Sequence, residues 1–329
     1  MMLNTRGPAK EATIPQSPNI EQAWPDLDYV AWRNTALTLQ LWTQIVGKIR
    51  LEQTPWLNHS WHVPFYVSSR GLQTSPIPFG RETVDIEFDF IAHRLHCHAS
   101  TGSSAALDLR PLPVASFYRE AMAMFESLGY PVEIDREPSE LPNSIPFDQD
   151  RAHADYDASA VHRFWRALLQ ADSALKLFRT GFLGKASPVH FFWGGFDLAV
   201  TQFSGREAPP HPGGIPGLSD RVTREAYSHE VSSAGFWPGN DRYPDAAFYA
   251  NAYPEPAGFR DWPVTPPARY VAELGEFILP YRAVQAALDP ERLLQEFLQA
   301  TYEAAATLGN WNRSALECPM GQAGKPRRI

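Results

Sequence analysis

The stretch SPVHFFWGGFDLAVTQFSGR, residues 187–206, carries the clearest fold signal in the chain. Apolar and aromatic residues lie on both sides of the pair Gly194–Gly195, where a strand bends or where another group must approach closely. The pattern predicts a core strand and its antiparallel return. His190 lies at the start of the first strand, where it is either a satisfied core histidine or a working group at a pocket.

Two long helices are predicted, one in each part of the chain. Residues 29–53 and 157–184 repeat apolar residues at helical spacing, and Pro55 and Gly184 end these patterns. Runs typical of strands follow each helix. The sequence therefore predicts an α+β fold with two similar halves, each a mostly antiparallel sheet packed on long helices.

A proline-rich link, EPSELPNSIPFDQD, marks the predicted boundary near residue 150. Both ends of the chain are polar and rich in proline or charge, which is typical of tails. The expected organisation is a flexible tail over 1–23, a first half over 24–150, a second half over 151–311, and a flexible tail over 312–329.

The two halves also match residue by residue. Placing the chain over itself without gaps aligns three pairs of polar residues: His62 with His190, Lys48 with Lys176, and Gln44 with Asp172. The match suggests an internal duplication. A pseudo-two-fold relation between the halves would place a cleft near their junction.

The composition excludes several classes of protein. The net charge of −8 does not favour nucleic-acid binding, and the two cysteines, Cys97 and Cys318, do not form a CxxC pair. No apolar run is long enough for a signal peptide or for a membrane span. We therefore expect a cytoplasmic protein with no nucleic-acid or membrane partner, and the cofactor and the oligomeric state are not identified by the sequence.

The candidate catalytic residues are His190, His229 and Asp172. Histidine titrates nearest to neutral pH and is the usual acid–base group. Asp172 lies on the apolar stripe of the second helix, so it either assists at a cavity or forms a surface-edge pair with Lys176 one turn on. In the cavity hypothesis four polar side chains point into one space between helix and sheet: Gln44, Lys48, Asp172 and Lys176.

Other residues complete the predicted binding set. Arg70 and Arg206 each lie beside a glycine, where they grip an anion or form surface turns. His62, Trp193 and Tyr227 are further candidate ligand contacts. A weaker alternative is a metal site, since three histidines from separate elements could share a zinc ion: His190, His211 and His229.

The segment TVDIEFDFIAHRLHCHAS, residues 83–100, predicts a hairpin. A two-residue turn at Ala92–His93 would pair Asp89 with His96 and Glu87 with His98. Cys97 would then point into the core.

Five long phrases identify a family. They are LWTQIVGKIRL, NHSWHVPFYVSSRGLQTSPIPFG, SPVHFFWGGFDLAVTQFSGR, EAYSHEVSSAGFWPG and LQATYEAAA. Together they resemble the family called domain of unknown function 5996, over roughly residues 24–317. The resemblance implies a soluble protein of bacterial type, and it supplies no activity, cofactor or catalytic residue.

Two functional hypotheses follow from these residues. The first is an enzyme that acts on a small polar or anionic metabolite by histidine acid–base chemistry in a cleft between the halves. The alternative is a non-catalytic protein that binds a small molecule in an aromatic-lined pocket, which ten tryptophans and nineteen phenylalanines would favour.

Overall fold

The computed structural model describes residues 23–327, in which seven α-helices and twelve β-strands form. The first half contains, in chain order, α1 (Tyr29–Gln53), β1 (Tyr66–Val67), β2 (Gly71–Gln73), β3 (Ile77–Phe79), β4 (Glu82–Asp89), β5 (Arg94–Ala99), β6 (Ser104–Asp108) and α2 (Val114–Ser127). The second half contains α3 (Ala158–Arg179), β7 (His190–Phe192), β8 (Asp197–Glu207), α4 (Asp220–Ala226), β9 (His229–Trp237), β10 (Ala247–Tyr253), β11 (Arg269–Val271), β12 (Glu276–Pro280), α5 (Tyr281–Gln285), α6 (Pro290–Leu308) and α7 (Arg313–Leu316). Two single-turn 3₁₀ helices, Asn58–Ser60 and Phe259–Asp261, complete the described elements.

Aspartate side chains cap the starts of the three longest helices. Asp28 accepts a hydrogen bond from Val30 N at α1, and Asp157 accepts from two backbone amides at α3. Asp289 accepts from the amide of Arg292 at α6, where Pro290 follows it. Each cap satisfies backbone donors that a helix start would otherwise leave unpaired. The helix positions predicted from apolar spacing are therefore also fixed by local chemistry.

Each half contains one antiparallel sheet of six strands. The order is β1-β2-β4-β5-β6, with β3 paired to β4, in the first sheet and β11-β12-β10-β9-β8-β7 in the second. The predicted α+β architecture is confirmed. The offset that places His62 over His190 also matches α1 to α3 within two residues at each end, which suggests the duplication.

The two sheets meet at their first strands. Phe65 beside β1 and Phe191 in β7 exchange two backbone hydrogen bonds, with N···O distances of 2.9 and 2.8 Å. Both side chains are fully buried. This contact joins an edge of one sheet to an edge of the other, so neither edge is left unpaired there.

The second sheet has two different faces. Phe191, Leu198 and Phe236 point to one face and pack into the core beneath α3, where Phe191 contacts Phe164. Alternation along the strands places Asp197 and Thr201 on the opposite face. That second face carries polar and small residues, and it is the face on which the candidate site lies.

The hairpin of β4 and β5 has a different register from the predicted one. Asp89 pairs with Arg94, so the loop contains four residues and the predicted pairing is wrong by two positions. The reason is local, because the Asp89 carboxylate accepts hydrogen bonds from the amides of Ile91 and Ala92 at 2.8 Å and closes the longer loop. Cys97 is buried as predicted, and burial raises the pKa of its thiol to about 12.

The C-terminal end of the chain differs from the expected organisation. The C-terminal segment, predicted to be a tail from residue 312, packs against the loop after α3 through residue 327. Leu183 N donates to Leu316 O at 2.7 Å, and Gly321 N donates to Thr180 Oγ1 at 2.8 Å. The predicted N-terminal tail lies outside the described residues, apart from residue 23. No described helix combines the length and the apolar character needed to cross a membrane.

Candidate functional site

A cavity of about 330 Å³ lies between the two halves. Its floor is the polar face of the second sheet, formed by β8, β9 and β10. The first half contributes the end of α1 and the loop through Val63, and the proline-rich link contributes Ser139 and Glu140. The volume is that of a site for a small molecule. The link expected to separate the halves therefore forms part of the cavity wall.

Aromatic side chains dominate the walls, and a short helix covers the cavity. The aromatic lining is Trp56, Trp61, Phe192, Trp193, Phe203, Tyr227 and Tyr249. The cover consists of α4 and the loop before it, from which Ile215 and Leu218 also line the cavity. Trp56 Nε1 donates to Glu225 Oε2 at 2.6 Å, and this bond ties the cover to the first half.

His59 joins the first half to the cover by a second contact. Its Nδ1 donates to Ala226 O at 3.0 Å, and its Nε2 accepts from Lys185 Nζ at 2.8 Å. Burial lowers the pKa of His59, partly opposed by the bond to Ala226. Burial also lowers the pKa of Lys185, whose ammonium lies 4.7 Å from the centre of the Phe203 ring. The His59 imidazole is therefore held neutral and in one tautomer.

Two carboxyl groups meet at the glycine pair of the β7–β8 turn. A side chain at Gly194 would overlap the Glu140 carboxyl group, which occupies the space that the glycine leaves. The position of a Cβ atom at Gly195 would lie 2.6 Å from Asp197 Oδ1 and 3.8 Å from Glu140 Oε2. The glycines are therefore needed because two carboxyl groups approach the turn, and Glu140 itself adopts a positive φ of 60° to reach it.

The environment changes the titration of both acids. Burial raises the pKa of Glu140 to about 7, and the nearby charge of Asp197 adds to the shift. Burial also raises the pKa of Asp197 to about 6, although Tyr249 Oη donates a hydrogen bond to Asp197 Oδ2 and opposes the shift. Neither carboxylate has a lysine or arginine partner among the described residues. Both groups therefore titrate near neutral pH, where acid–base catalysis needs them.

A third acid lies beyond the cavity floor. Asn251 Nδ2 donates to Glu276 Oε1 at 2.8 Å, and Asn251 pairs across the sheet with Ser233, whose hydroxyl is 2.9 Å from that of Thr201. Burial raises the pKa of Glu276 to about 7, opposed by Asn251 and reinforced by Asp197. The floor therefore carries a row of hydrogen-bonding side chains, and the last of them, Asn251, contacts an acid that lies outside the cavity lining.

Two glutamines of α1 position the acids. Gln44 Nε2 donates to Ser139 O at 2.9 Å, and Ser139 N donates to Gln44 Oε1 at 2.7 Å, so one buried side chain holds the residue before Glu140. Gln40 Nε2 donates to Gly194 O at 2.7 Å. The predicted binding residue Gln44 therefore acts on the site through the backbone of the link and does not line the cavity.

Gln44→Ala is expected to lower the free energy of unfolding by about 2 kcal/mol, because it leaves two partly buried backbone groups of Ser139 unpaired. We expect ligand binding in the cavity to weaken as well, since Glu140 is no longer held against Gly194. Urea unfolding and a ligand titration would measure the two effects. Exposed Gln299→Ala on α6 is the matched control, and equal effects from both variants would contradict the positioning role.

The structure places the predicted histidines outside the cavity lining. His190 is only 1% exposed, and burial, with the charges of Arg50 and Arg179, lowers its pKa to about 3. A histidine with that pKa does not titrate near neutral pH, so the reason for choosing it as the acid–base group does not hold. His229 lies at the start of β9, with its Nδ1 3.1 Å from Ser228 Oγ.

The metal alternative is not found in the described structure. His211 stacks on Tyr227 with ring centres 4.8 Å apart, and His190 is enclosed by aromatic rings. Within residues 23–327, no three histidine, cysteine or acidic side chains lie close enough to hold one metal ion. His190, His211 and His229 therefore do not form the predicted triad, because their elements hold them in separate surroundings.

The predicted cationic contacts are paired elsewhere. Arg70 Nη2 lies 2.6 Å from Asp89, and Arg206 Nη2 lies 2.6 Å from Glu230 and also donates to Gly309 O. Lys48 Nζ donates to Asp135 at 2.7 Å. Arg70 therefore stabilises the β4–β5 hairpin, Arg206 stabilises the end of α6, and Lys48 stabilises the segment that leads into the link. The four polar side chains predicted to converge between helix and sheet form three separate contacts instead: Gln44 with Ser139, Lys48 with Asp135, and Asp172 with Lys176.

Asp172 forms the surface-edge pair with Lys176. The carboxylate lies 2.6 Å from Lys176 Nζ, and the lysine side chain is 59% exposed. Burial raises the pKa of Asp172, opposed by Lys176. We expect Lys176→Gln to change the free energy of unfolding by less than about 0.5 kcal/mol and to leave binding in the cavity unaltered. Loss of ligand binding in this variant would contradict this expectation and would show that Asp172 and Lys176 contribute to the ligand site.

His62 lies outside the cavity lining, whereas Trp193 and Tyr227 line it. His62 packs against Trp56 with ring centres 4.8 Å apart. Trp193 Nε1 donates to Val63 O at 3.0 Å, and burial raises the pKa of Tyr227 to about 12. The main acids of the cavity, Glu140 and Asp197, are not among the site residues predicted from the sequence. Asp197 lies two residues after the glycine pair, which was a usable signal, but no local pattern marked Glu140 within the link.

Comparisons with known proteins agree with the resemblance noted in the sequence. No curated protein and no solved structure matches the chain. The model of one family does match, over residues 24–318, and this range contains every residue that lines the cavity. The chain therefore belongs to the family described as the family of unknown function DUF5996.

Proposed function

We propose that the chain is an enzyme that performs acid–base chemistry on a small molecule bound in the aromatic cavity. The observation that carries this proposal is the meeting of Glu140 and Asp197 at the glycine pair without a cationic partner among the described residues. When the pKa values of two neighbouring carboxyl groups lie near neutrality, one group can be protonated while the other is ionised at that pH. Such a pair supplies an acid and a base together.

The surroundings favour different roles for the two acids. Tyr249 donates a hydrogen bond to Asp197, which stabilises the carboxylate, so Asp197 is the proposed base. Burial and the nearby charge of Asp197 both favour the protonated form of Glu140, so it is the proposed acid. Tyr227 and Trp193 would hold the apolar part of the substrate against the walls.

The lining also favours a class of substrate. No arginine or lysine lines the cavity among the described residues, whereas two acids do. An anionic metabolite would meet like charge and gain no ionic partner. The proposed substrate is therefore an uncharged or cationic small molecule with an apolar ring or chain. This proposal replaces the anionic metabolite in the hypothesis drawn from the sequence.

The test is turnover of a defined set of small metabolites by the full chain, followed by mass spectrometry and proton NMR. We expect one class of uncharged or cationic compound to be consumed. Glu140→Gln and Asp197→Asn should each reduce the rate by about 10²-fold or more, because each amide keeps the size of the acid but removes its proton transfer. Exposed Glu126→Gln on α2 should leave the rate unchanged. Full rates in both amide variants would contradict the proposal.

A second candidate function is non-catalytic binding of a small molecule. The seven aromatic side chains that line the cavity and the helix that covers it favour this function. The same experiment separates the two functions. A compound that binds in the cavity, raises the melting temperature and is recovered unchanged over long incubation identifies a binding protein.

A further inference from the structure

A buried polar cluster lies beside the cavity, behind the wall formed by Trp61 and Phe192. It consists of Arg50, His62, Tyr66 and His190, named here the Arg50 cluster, and none of the four lines the cavity. The Tyr66 ring centre lies 5.8 Å from Arg50 Cζ and 5.6 Å from the ring centre of His190. Arg50 and His62 are each 3% exposed, and only Tyr66 reaches the surface in part.

The charge of Arg50 has no counter-charge. Its Nη2 donates to Ser75 Oγ at 2.7 Å and its Nε donates to the backbone oxygen of His62. The side chain of Tyr66, a neutral neighbour, interacts with the guanidinium and favours its charged form. Arg50 Nη1 has no other hydrogen-bond partner, and no carboxylate within the described range forms an ion pair with Arg50. A guanidinium stays protonated, and buried charges are normally paired. The Arg50 cluster is therefore positively charged and incompletely bonded.

The two histidines add donors that lack acceptors. His62 Nδ1 accepts from Leu57 N at 3.2 Å, which places the ring proton on Nε2, and that atom has no partner among the residues described. Neither ring nitrogen of His190 has one. Burial lowers the pKa of His190 to about 3, so its ring is neutral and carries one N–H donor. Glu225 is the carboxylate whose charge raises the pKa of His62, and it already accepts a hydrogen bond from Trp56 Nε1.

We propose that the Arg50 cluster binds a small anion, of the size of chloride or of a single carboxylate group. An anion would supply the two things that the cluster lacks. These are a negative charge beside Arg50 and hydrogen-bond acceptors for the unpaired nitrogens, which are Arg50 Nη1, His62 Nε2 and the ring N–H of His190. Charge-assisted hydrogen bonds of this kind are the strong ones in proteins. The partly exposed side of Tyr66 provides the route from solvent. This site is independent of the acids in the cavity.

The experiment measures the melting temperature of the full chain in chloride, acetate and phosphate, each titrated at constant ionic strength against the sodium salt of a bulky buffer sulfonate. We expect at least one of the three anions to raise the melting temperature by about 3 °C or more, with saturation. Chloride and acetate distinguish a free halide from a carboxylate, and phosphate reports a larger anion. Equal curves in all salts would overturn the proposal.

Two variants and a control tie the effect to the cluster. Arg50→Met and His190→Phe should each abolish the saturable rise, while exposed Arg81→Met should retain it. If Arg50→Met does not fold, His190→Phe alone decides, and chloride-35 NMR line broadening on the wild-type chain provides a second readout. A histidine that is merely unsatisfied in the core would instead give a His190→Phe variant with a raised melting temperature and an unchanged anion response, which also overturns the proposal.

Discussion

Gly47→Ala is expected to lower the free energy of unfolding by about 2 kcal/mol. Gly47 lies inside α1, where an exposed glycine replaced by alanine would normally gain about 0.5–1 kcal/mol. Here a Cβ atom would overlap the Trp193 indole. Trp193 is 7% exposed and its Nε1 is held by Val63 O, so the ring has no room to retreat. Overpacking of this kind costs about 1–3 kcal/mol and outweighs the gain in helix propensity.

Urea unfolding of Gly47→Ala, Trp193→Phe and the double variant would measure this effect. If the Cβ clashes with the indole, the smaller ring makes room, and the double variant loses less stability than the two single variants together. Since Trp193 lines the cavity, Gly47→Ala should also weaken ligand binding. Additive losses, or a Gly47→Ala variant as stable as the wild type, would show that the indole does not depend on the glycine.

Asp197→Asn is expected to stabilise the folded chain at pH 8 and to have little effect at pH 4. The folded pKa of Asp197 is about 6, raised from the ordinary value of 3.8, so between these values the folded chain holds more protons than the unfolded chain. Stability contributed by this group is therefore complete below about pH 4 and is lost as the pH rises through about 6. We expect a gain of about 1–2 kcal/mol at pH 8 after allowance for partial exposure.

The measurement is the difference between variant and wild type, by urea unfolding from pH 4 to pH 8. The difference is needed because buried His59 and His190 have lowered pKa values and destabilise the chain as the pH falls. This effect is opposite in direction to that of Asp197, and it is common to variant and wild type. Exposed Asp155→Asn should give a flat difference. A gain for Asp197→Asn that is larger at pH 4 than at pH 8 would contradict the raised pKa.

Local patterns were sufficient for much of the fold. The helices α1 and α3 follow from apolar spacing and aspartate caps, and the β7–β8 turn follows from Gly194–Gly195. The β4–β5 register was less predictable, because the Asp89 carboxylate accepts hydrogen bonds from two loop amides and so favours a four-residue loop over a two-residue turn. Local sequence predicts elements well and turn lengths poorly, since the capping bonds of one side chain decide between them.

The candidate site was less predictable, because its acids come from segments far apart in the chain. Asp197 belongs to a recognised strand, but its pKa depends on burial and on Tyr249 from β10, and its charge in turn raises the pKa of Glu140 from the link. His190 looked like an acid–base group by its type, and burial removed that property. Titration depends on desolvation and on neighbouring charges, and neither quantity is visible in one local pattern.

By itself the amino-acid order determined the two long helices, the strands that follow them, and the glycine pair that leaves room at the β7–β8 turn. Only the tertiary structure decided which side chains fill that room and which side chains remain without partners. The physical reason is range: helix caps and strand alternation act between residues a few positions apart. The pairing of Glu140 with Asp197, and the unbalanced charge of Arg50, arise where distant segments exclude water together.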